Sequence, residues 1–336
     1  MTSPGVDLGA LARFLADHGV EVAGELRAEF ISGGRSNLTY KVSDGVSRWV
    51  LRQPPLAGLT PSAHDVGREF RVTKALQSSP VPTAAAVACD PDGSTLGVPV
   101  SVVEYVEGSV IRGADELATF PDGELHVLTE ALVDCLASIH AVDYAAVGLE
   151  TFGRPDGFVT RQVALWARQW DRVKSREVPD LTVLADRLAS RVPSQSASAI
   201  IHGDFRVDNT IVDPADSSKI LAVLDWEMST LGDPLTDVAL MCVYRMPEFD
   251  AVLGTRAAWT SPRLPSPDML AQRYAQASGR DLSDWGFYIG LSCLKVAVIA
   301  EGIAHRARHG AEAGAGQLDA GATVPEFIAQ GLRALG

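Results

Sequence analysis

Between two apolar runs, Ile200-Ile201 and Ile211-Val212, the chain carries the polar string His202-Gly203-Asp204-Phe205-Arg206-Val207-Asp208-Asn209-Thr210. Polar groups on a loop between strand-like runs sit on a rigid platform suited to chemistry. Asp204 offers a carboxylate there, and Asn209 an amide oxygen. A second carboxylate, Asp225, closes the later run Leu221-Ala222-Val223-Leu224. Phosphoryl transfer asks for a carboxylate aimed at the attacking hydroxyl and for oxygen ligands to magnesium, a hard cation. Asp204, Asn209 and Asp225 make up that set. His202, Asp204, Asp208 and Asp225 could instead surround a metal pair in a phosphoesterase, although such sites usually carry more histidine.

The elements that must hold these groups are legible in the spacing of apolar residues. Residues 6–18 have the period of a short amphipathic helix, and Ala28 to Leu51 breaks into short extended runs with turns at Gly33-Gly34 and Asp44-Gly45, an antiparallel meander. Val66–Leu76 has helical spacing and is stopped by Ser78, Ser79 and Pro80. The valine-rich run Val98–Val106 is a strand. Beyond Glu107 the pattern turns helical, with Leu125, Leu128, Leu132, Leu136 and Ile139 on one stripe. Two lobes follow, 1–106 and 107–336, of α+β class: a small antiparallel sheet with a helix, then a larger, mainly helical part interrupted by the β-like block Ala199–Asp225. Gly254–Pro267 and His309–Thr323 read as loops.

His202-Gly203-Asp204 with Asn209, followed by Leu224-Asp225-Trp226-Glu227, resembles the aminoglycoside phosphotransferase family of kinase-like enzymes. The resemblance implies a two-lobed protein-kinase-like fold, ATP or GTP as phosphoryl donor, Mg2+ held by Asn209 and Asp225, Asp204 as catalytic base and a small-molecule hydroxyl as acceptor. It extends upstream with less specific matches. Gly33, Gly34, Arg35, Ser36 and Asn37 match the nucleotide loop, and Glu104 and Val106 match the hinge whose backbone meets the adenine edge. Arg52 stands where the family carries a phosphate-binding lysine, with Glu69 as its helix partner; a guanidinium fork is not a lysine point charge. Asp237, after Gly232-Asp233-Pro234, is implied to brace the catalytic loop, and Trp226 to pack beneath the metal loop. The match is nearest the branch resembling phosphotransferase-like domains associated with acyl-CoA dehydrogenases. The arginine at position 52 also leaves open a nucleotide-binding module without catalysis.

Lys and Arg number 29 against 42 Asp and Glu, for a net charge of −13. That balance opposes nucleic acid as a partner. Cys89, Cys135, Cys242 and Cys293 are scattered without metal or redox spacing, so reduced thiols are expected. The first 20 residues have no basic start or apolar segment of a signal peptide, and Lys295 and Glu301 break the C-terminal apolar run; a cytoplasmic protein without membrane partner is the expectation. His140, closing the helical stripe, reads as a structural hydrogen-bonder, Trp166 and Trp170 as core residues in preference to an aromatic cage for a cationic substrate, and Asp213 and Asp216 as turn formers. Oligomeric state, the acceptor and the choice of ATP or GTP stay open.

Overall fold

The structure is a computed structural model that describes residues 7–31, 37–54, 65–309 and 319–336. The chain forms two compact units: Met1–Gly108 with Leu221–Ser229, and Ser109–Ile220 with Thr230–Gly336. The sequence leaves 221–229 with the C-terminal part; the structure clusters it with the first unit. The ties are specific. The Val223 N–H donates to the Pro82 carbonyl (2.9 Å), and the Arg68 guanidinium donates to the Ser229 carbonyl (3.0 Å).

In the first unit α1 (Leu8–Asp17) starts where the Asp7 carboxylate accepts the Ala10 N–H at 2.9 Å, satisfying an otherwise orphan helix donor. Strands β1 (Arg27–Phe30), β2 (Leu38–Ser43) and β3 (Arg48–Gln53) form the expected meander, followed by α2 (Val66–Leu76), β4 (Ala86–Asp90) and β5 (Val100–Glu104). The sheet is antiparallel in the order β1-β2-β3-β5-β4. The Asp44-Gly45 turn is held by the Asp44 carboxylate, which accepts N–H bonds from Ala23, Val46 and Ser47, while Gly45 takes φ +92°. Leu11, Phe14 and Leu15 of α1 pack with Tyr40, Val42, Trp49, Leu51, Val100 and Val102 in one apolar core. Period-two alternation then sends Trp49 and Leu51 into that core and Arg52 to the other face of β3. β4 has no counterpart in the sequence pattern. It is short, and its register with β5 shifts between Ala86 and Ala88, which blurs the alternation.

The second unit contains α3 (Ala114–Leu117), α4 (Asp122–Ala141), α5 (Phe158–Val173), α6 (Pro179–Ser190), β6 (Ala199–Ile201), β7 (Thr210–Asp213) and the start of β8 (Asp216–Val223). After the return it holds β9 (Thr230–Gly232), α7 (Leu235–Val243), α8 (Phe249–Leu253), α9 (Pro267–Ser278), α10 (Trp285–Arg308) and α11 (Val324–Leu335). The predicted stripe of α4 is fully buried from Leu125 to Ile139. By length and composition α10 could cross a membrane, yet 78% of its apolar stretch is buried, the packing of a core helix. β6 pairs with β9 and β7 with β8, two ribbons that frame the polar string. Of the predicted loop His309–Thr323, residues 319–323 form a short 3-10 turn and 310–318 lie outside the described residues.

Candidate active site

The second unit holds the loop between β6 and β7. Gly203 takes φ +84°, a left-handed conformation that admits glycine without strain, and a 3-10 turn covers Val207–Asn209. Buried Asp237, in the first turn of α7, accepts the backbone N–H groups of His202 (2.5 Å) and Gly203 (2.8 Å). His140 closes the arrangement from α4, with Nε2 3.3 Å from Asp237 and Nδ1 2.7 Å from the Tyr274 hydroxyl. Burial works against charge on Asp237, but His140 and the backbone donors outweigh it and hold its pKa below the ordinary value. His202 supports the loop: its Nδ1 accepts the Asp204 N–H at 3.2 Å. Asp233, one turn earlier, is spent on Ser196 and the Tyr288 hydroxyl.

Asp204 is partly buried, and one of its oxygens accepts the Asn209 amide N–H (3.1 Å) and an Arg206 N–H (3.3 Å). The Asn209 nitrogen also donates to the Asp204 carbonyl at 2.7 Å. Two oxygen partners fix which end of that amide is nitrogen, leaving its oxygen to act as an acceptor. Burial would raise the pKa of Asp204; Arg206 and a hydrogen bond from the Tyr244 hydroxyl outweigh it, so the carboxylate stays ionised below its ordinary range. The other amino group of Arg206 pairs with Asp208 at 2.5 Å, and the guanidinium lies over the Tyr244 and Phe249 rings at 5.8 and 5.7 Å. Asp208 thus serves Arg206. Burial, only partly offset by Arg206, pushes its pKa up to about 6.

The first unit holds the other candidate residues. Arg52, on the face of β3 away from the apolar core, pairs with Glu69 of α2 and, at 3.2 Å, with Asp225. Burial opposes its charge, but the two carboxylates hold its pKa above the ordinary arginine value. Glu69 is buried, which raises its pKa despite Arg52 and a backbone hydrogen bond from Trp226. Asp225 takes the left-handed conformation (φ 62°, ψ 58°), one of two non-glycine residues among those described with positive φ. Such a conformation is retained where surrounding contacts over-determine it. Trp226 is fully buried and its indole N–H donates to the Val223 carbonyl at 3.1 Å. At the end of β5 the Glu104 and Tyr105 N–H groups are taken by Ala85 and Arg48. Gly33, Gly34, Arg35 and Ser36 lie outside the described residues; Asn37 is described and buried.

The sequence pattern pointed to no part in the site for Arg206, Tyr244 or Lys295, the last standing out only as a break in an apolar run. The Lys295 ammonium of α10 donates to the Gly203 carbonyl at 3.0 Å across 92 residues of sequence. No local motif carries such a contact. Among the described residues no group of three or more His, Cys, Asp or Glu side chains could hold a metal ion. Asn209 in the second unit and Asp225 in the first each offer an oxygen donor, the type a hard cation such as magnesium takes.

The sequence model of the phosphotransferase enzyme family matches residues 27–282. Acyl-CoA dehydrogenase family member 11 of Gallus gallus is 35% identical over 308 residues, covering 88% of this chain and 39% of that protein. Family member 10 of Mus musculus is 34% identical over 281 residues, covering 82% and 26%. The chain therefore spans between a quarter and two fifths of these curated relatives. A crystal structure of a candidate aminoglycoside phosphotransferase from Ralstonia eutropha JMP134 superposes with TM-score 0.84 at 30% identity, covering 98% of both chains. A thermostable mutant of aminoglycoside phosphotransferase APH(4)-Ia, in a ternary complex with AMP-PNP and hygromycin B, gives TM-score 0.63 at 16% identity, covering 97% of this chain and 98% of its own; that likeness is one of fold, the two-lobed kinase-like α+β fold.

Proposed function

The chain belongs to the phosphotransferase enzyme family, and we propose that it moves the γ-phosphoryl group of ATP or GTP to a hydroxyl of a small molecule. The observation that carries this reading is the Asp204 carboxylate, kept ionised by Arg206 and Tyr244 and oriented by Asn209 on a loop anchored by Asp237. Asp204 orients the acceptor hydroxyl and takes its proton as the acceptor oxygen bonds to phosphorus. The bond from phosphorus to the bridging oxygen breaks, and its electron pair leaves with the nucleoside diphosphate. A carboxylate with a depressed pKa is a weak base, which suits a loose transition state in which the proton moves late. Asn209 and Asp225 are the proposed magnesium ligands, the bound ion neutralising phosphate charge, and Arg52 the phosphate-binding cation.

A nucleotide-binding module without turnover is the second reading. It is favoured by Arg52, whose guanidinium is already engaged by Glu69 and Asp225. A two-metal phosphoesterase finds no carboxylate and histidine cluster among the described residues. The deciding experiment measures γ-phosphate transfer from labelled ATP and GTP to aminoglycosides, amino alcohols, sugars and hydroxyacyl compounds, with Asp204→Ala as blank. Transfer abolished in the blank supports the enzyme. Tight Mg-nucleotide binding without turnover supports the module, and no nucleotide binding in calorimetry removes both.

A further inference from the structure

Lys295 lies in the middle of α10, a helix otherwise buried on most of its faces. Its ammonium sits between the Gly203 carbonyl (3.0 Å) and the face of the Trp166 ring (5.8 Å to the centroid), both of which favour a positive charge. The lysine ion pairs among the described residues are Lys174 with Asp171 and Lys219 with Asp213; Lys295 forms none. Burial pulls its pKa below the ordinary 10.5, although Asp204 and Asp237 lie close enough to act on it electrostatically. Among the described residues this half-buried ammonium contacts no carboxylate and makes one hydrogen bond, so two of its three N–H groups are available to donate to an arriving anion.

The neighbouring groups are committed elsewhere. Asp237 accepts from His202, Gly203 and His140, and the two amino groups of Arg206 are taken by Asp208 and Asp204. Of the cations acting on Asp204, Arg206 keeps only its buried Nε unpartnered, whereas the half-buried Lys295 ammonium makes one hydrogen bond among the described residues, to the Gly203 carbonyl. The anion that reaches Asp204 during phosphoryl transfer is the phosphoryl group itself, with its charge spread over three equatorial oxygens.

We propose that Lys295 is a catalytic residue that donates to the phosphoryl group as it passes to the acceptor, on the reading that Asp204 meets the acceptor hydroxyl. The hydroxyl proton goes to Asp204, the new oxygen–phosphorus bond forms as the bridging one breaks, and Lys295 keeps its own proton while its two spare N–H groups gain phosphoryl oxygens. Trp166, by fixing the ammonium against its ring, is a positioning residue.

The test compares the parent protein with Lys295→Met and Lys295→Arg, each first shown to unfold cooperatively on heating. Calorimetry measures Mg-ADP affinity with and without aluminium fluoride, a mimic of the transferred group, and a slow hydrolysis assay uses water as acceptor. Lys295→Met should bind Mg-ADP within about twofold of the parent, lose the fluoride-dependent gain in affinity, and hydrolyse Mg-ATP about 100-fold more slowly, the scale of losing one donor to a developing oxyanion. Lys295→Arg should recover part of both. An unchanged fluoride-dependent gain, or equal loss of ground-state Mg-ADP binding, overturns the assignment, the latter marking Lys295 as a support of the loop. A parent that binds Mg-ADP without any fluoride-dependent gain overturns it too. A parent that binds no nucleotide overturns the proposed function, and the assignment with it.

Discussion

Arg52 answers to two carboxylates at once, Glu69 and Asp225. Glu69 is buried, so removing the guanidinium strands a charge in the interior rather than releasing it to water. Arg52→Met should lower stability by about 3 kcal/mol in urea unfolding, and Arg52→Lys by less, since one ammonium can still face Glu69. Equal stability of the parent and Arg52→Met would show the pair to be energetically idle. His140 gives a second, pH-dependent test. Burial lowers its pKa below the ordinary 6.5, against the pull of Asp237, so the folded protein holds it neutral while the unfolded chain protonates as pH falls. Its contribution is complete above pH 6.5 and is lost as pH drops through and below that value toward the folded pKa. Between about pH 6.5 and 5.5 the parent should lose up to about 1.4 kcal/mol per pH unit more than His140→Gln, a side chain that can keep bonds to Tyr274 and Asp237. Parallel stability curves would dismiss this linkage.

At the scale of elements, the parts that proved legible are those whose signal is local. The stripe of α4, the spacing and stop of α2, and the Asp204-to-Asn209 spacing each depend on residues a few positions apart. β4 was invisible because its register shift with β5 blurs the alternation, β9 because three residues hold too few alternations to register, and Arg206, Tyr244 and Lys295 because their contacts depend on side-chain packing or distant chain. Helix pairing is similarly silent in sequence. Gly286 on α10 has no room for a side chain: a Cβ there would overlap the Ala334 carbonyl oxygen of α11. Gly286→Ala should therefore destabilise the second unit by about 1–3 kcal/mol despite alanine's better helix propensity, because backbone cannot yield as a flexible side chain does. A raised melting temperature would mean that α11 shifts freely, which would contradict the close packing.

For the whole molecule, the decisive feature is that the first unit is assembled from two separated stretches of chain, 1–108 and 221–229, with 112 residues of the second unit between them. The late stretch brings Asp225 to Arg52, places the Ser229 carbonyl on Arg68 and supplies the buried Trp226. Each unit has its own buried residues, and separately stabilised regions exchange amide protons at separate rates. Trp226→Ala removes a fully buried indole, a change that costs about 3–5 kcal/mol in a packed interior. Its effect should fall on the first unit. Hydrogen exchange should accelerate in α2 and β1–β5, nucleotide affinity should weaken with it, and the α4 and α10 amides of the second unit should keep parental protection. The same acceleration spread evenly over α4 and α10 would show that the two units unfold as one, and that the late stretch stabilises the entire chain rather than the unit whose residues it completes.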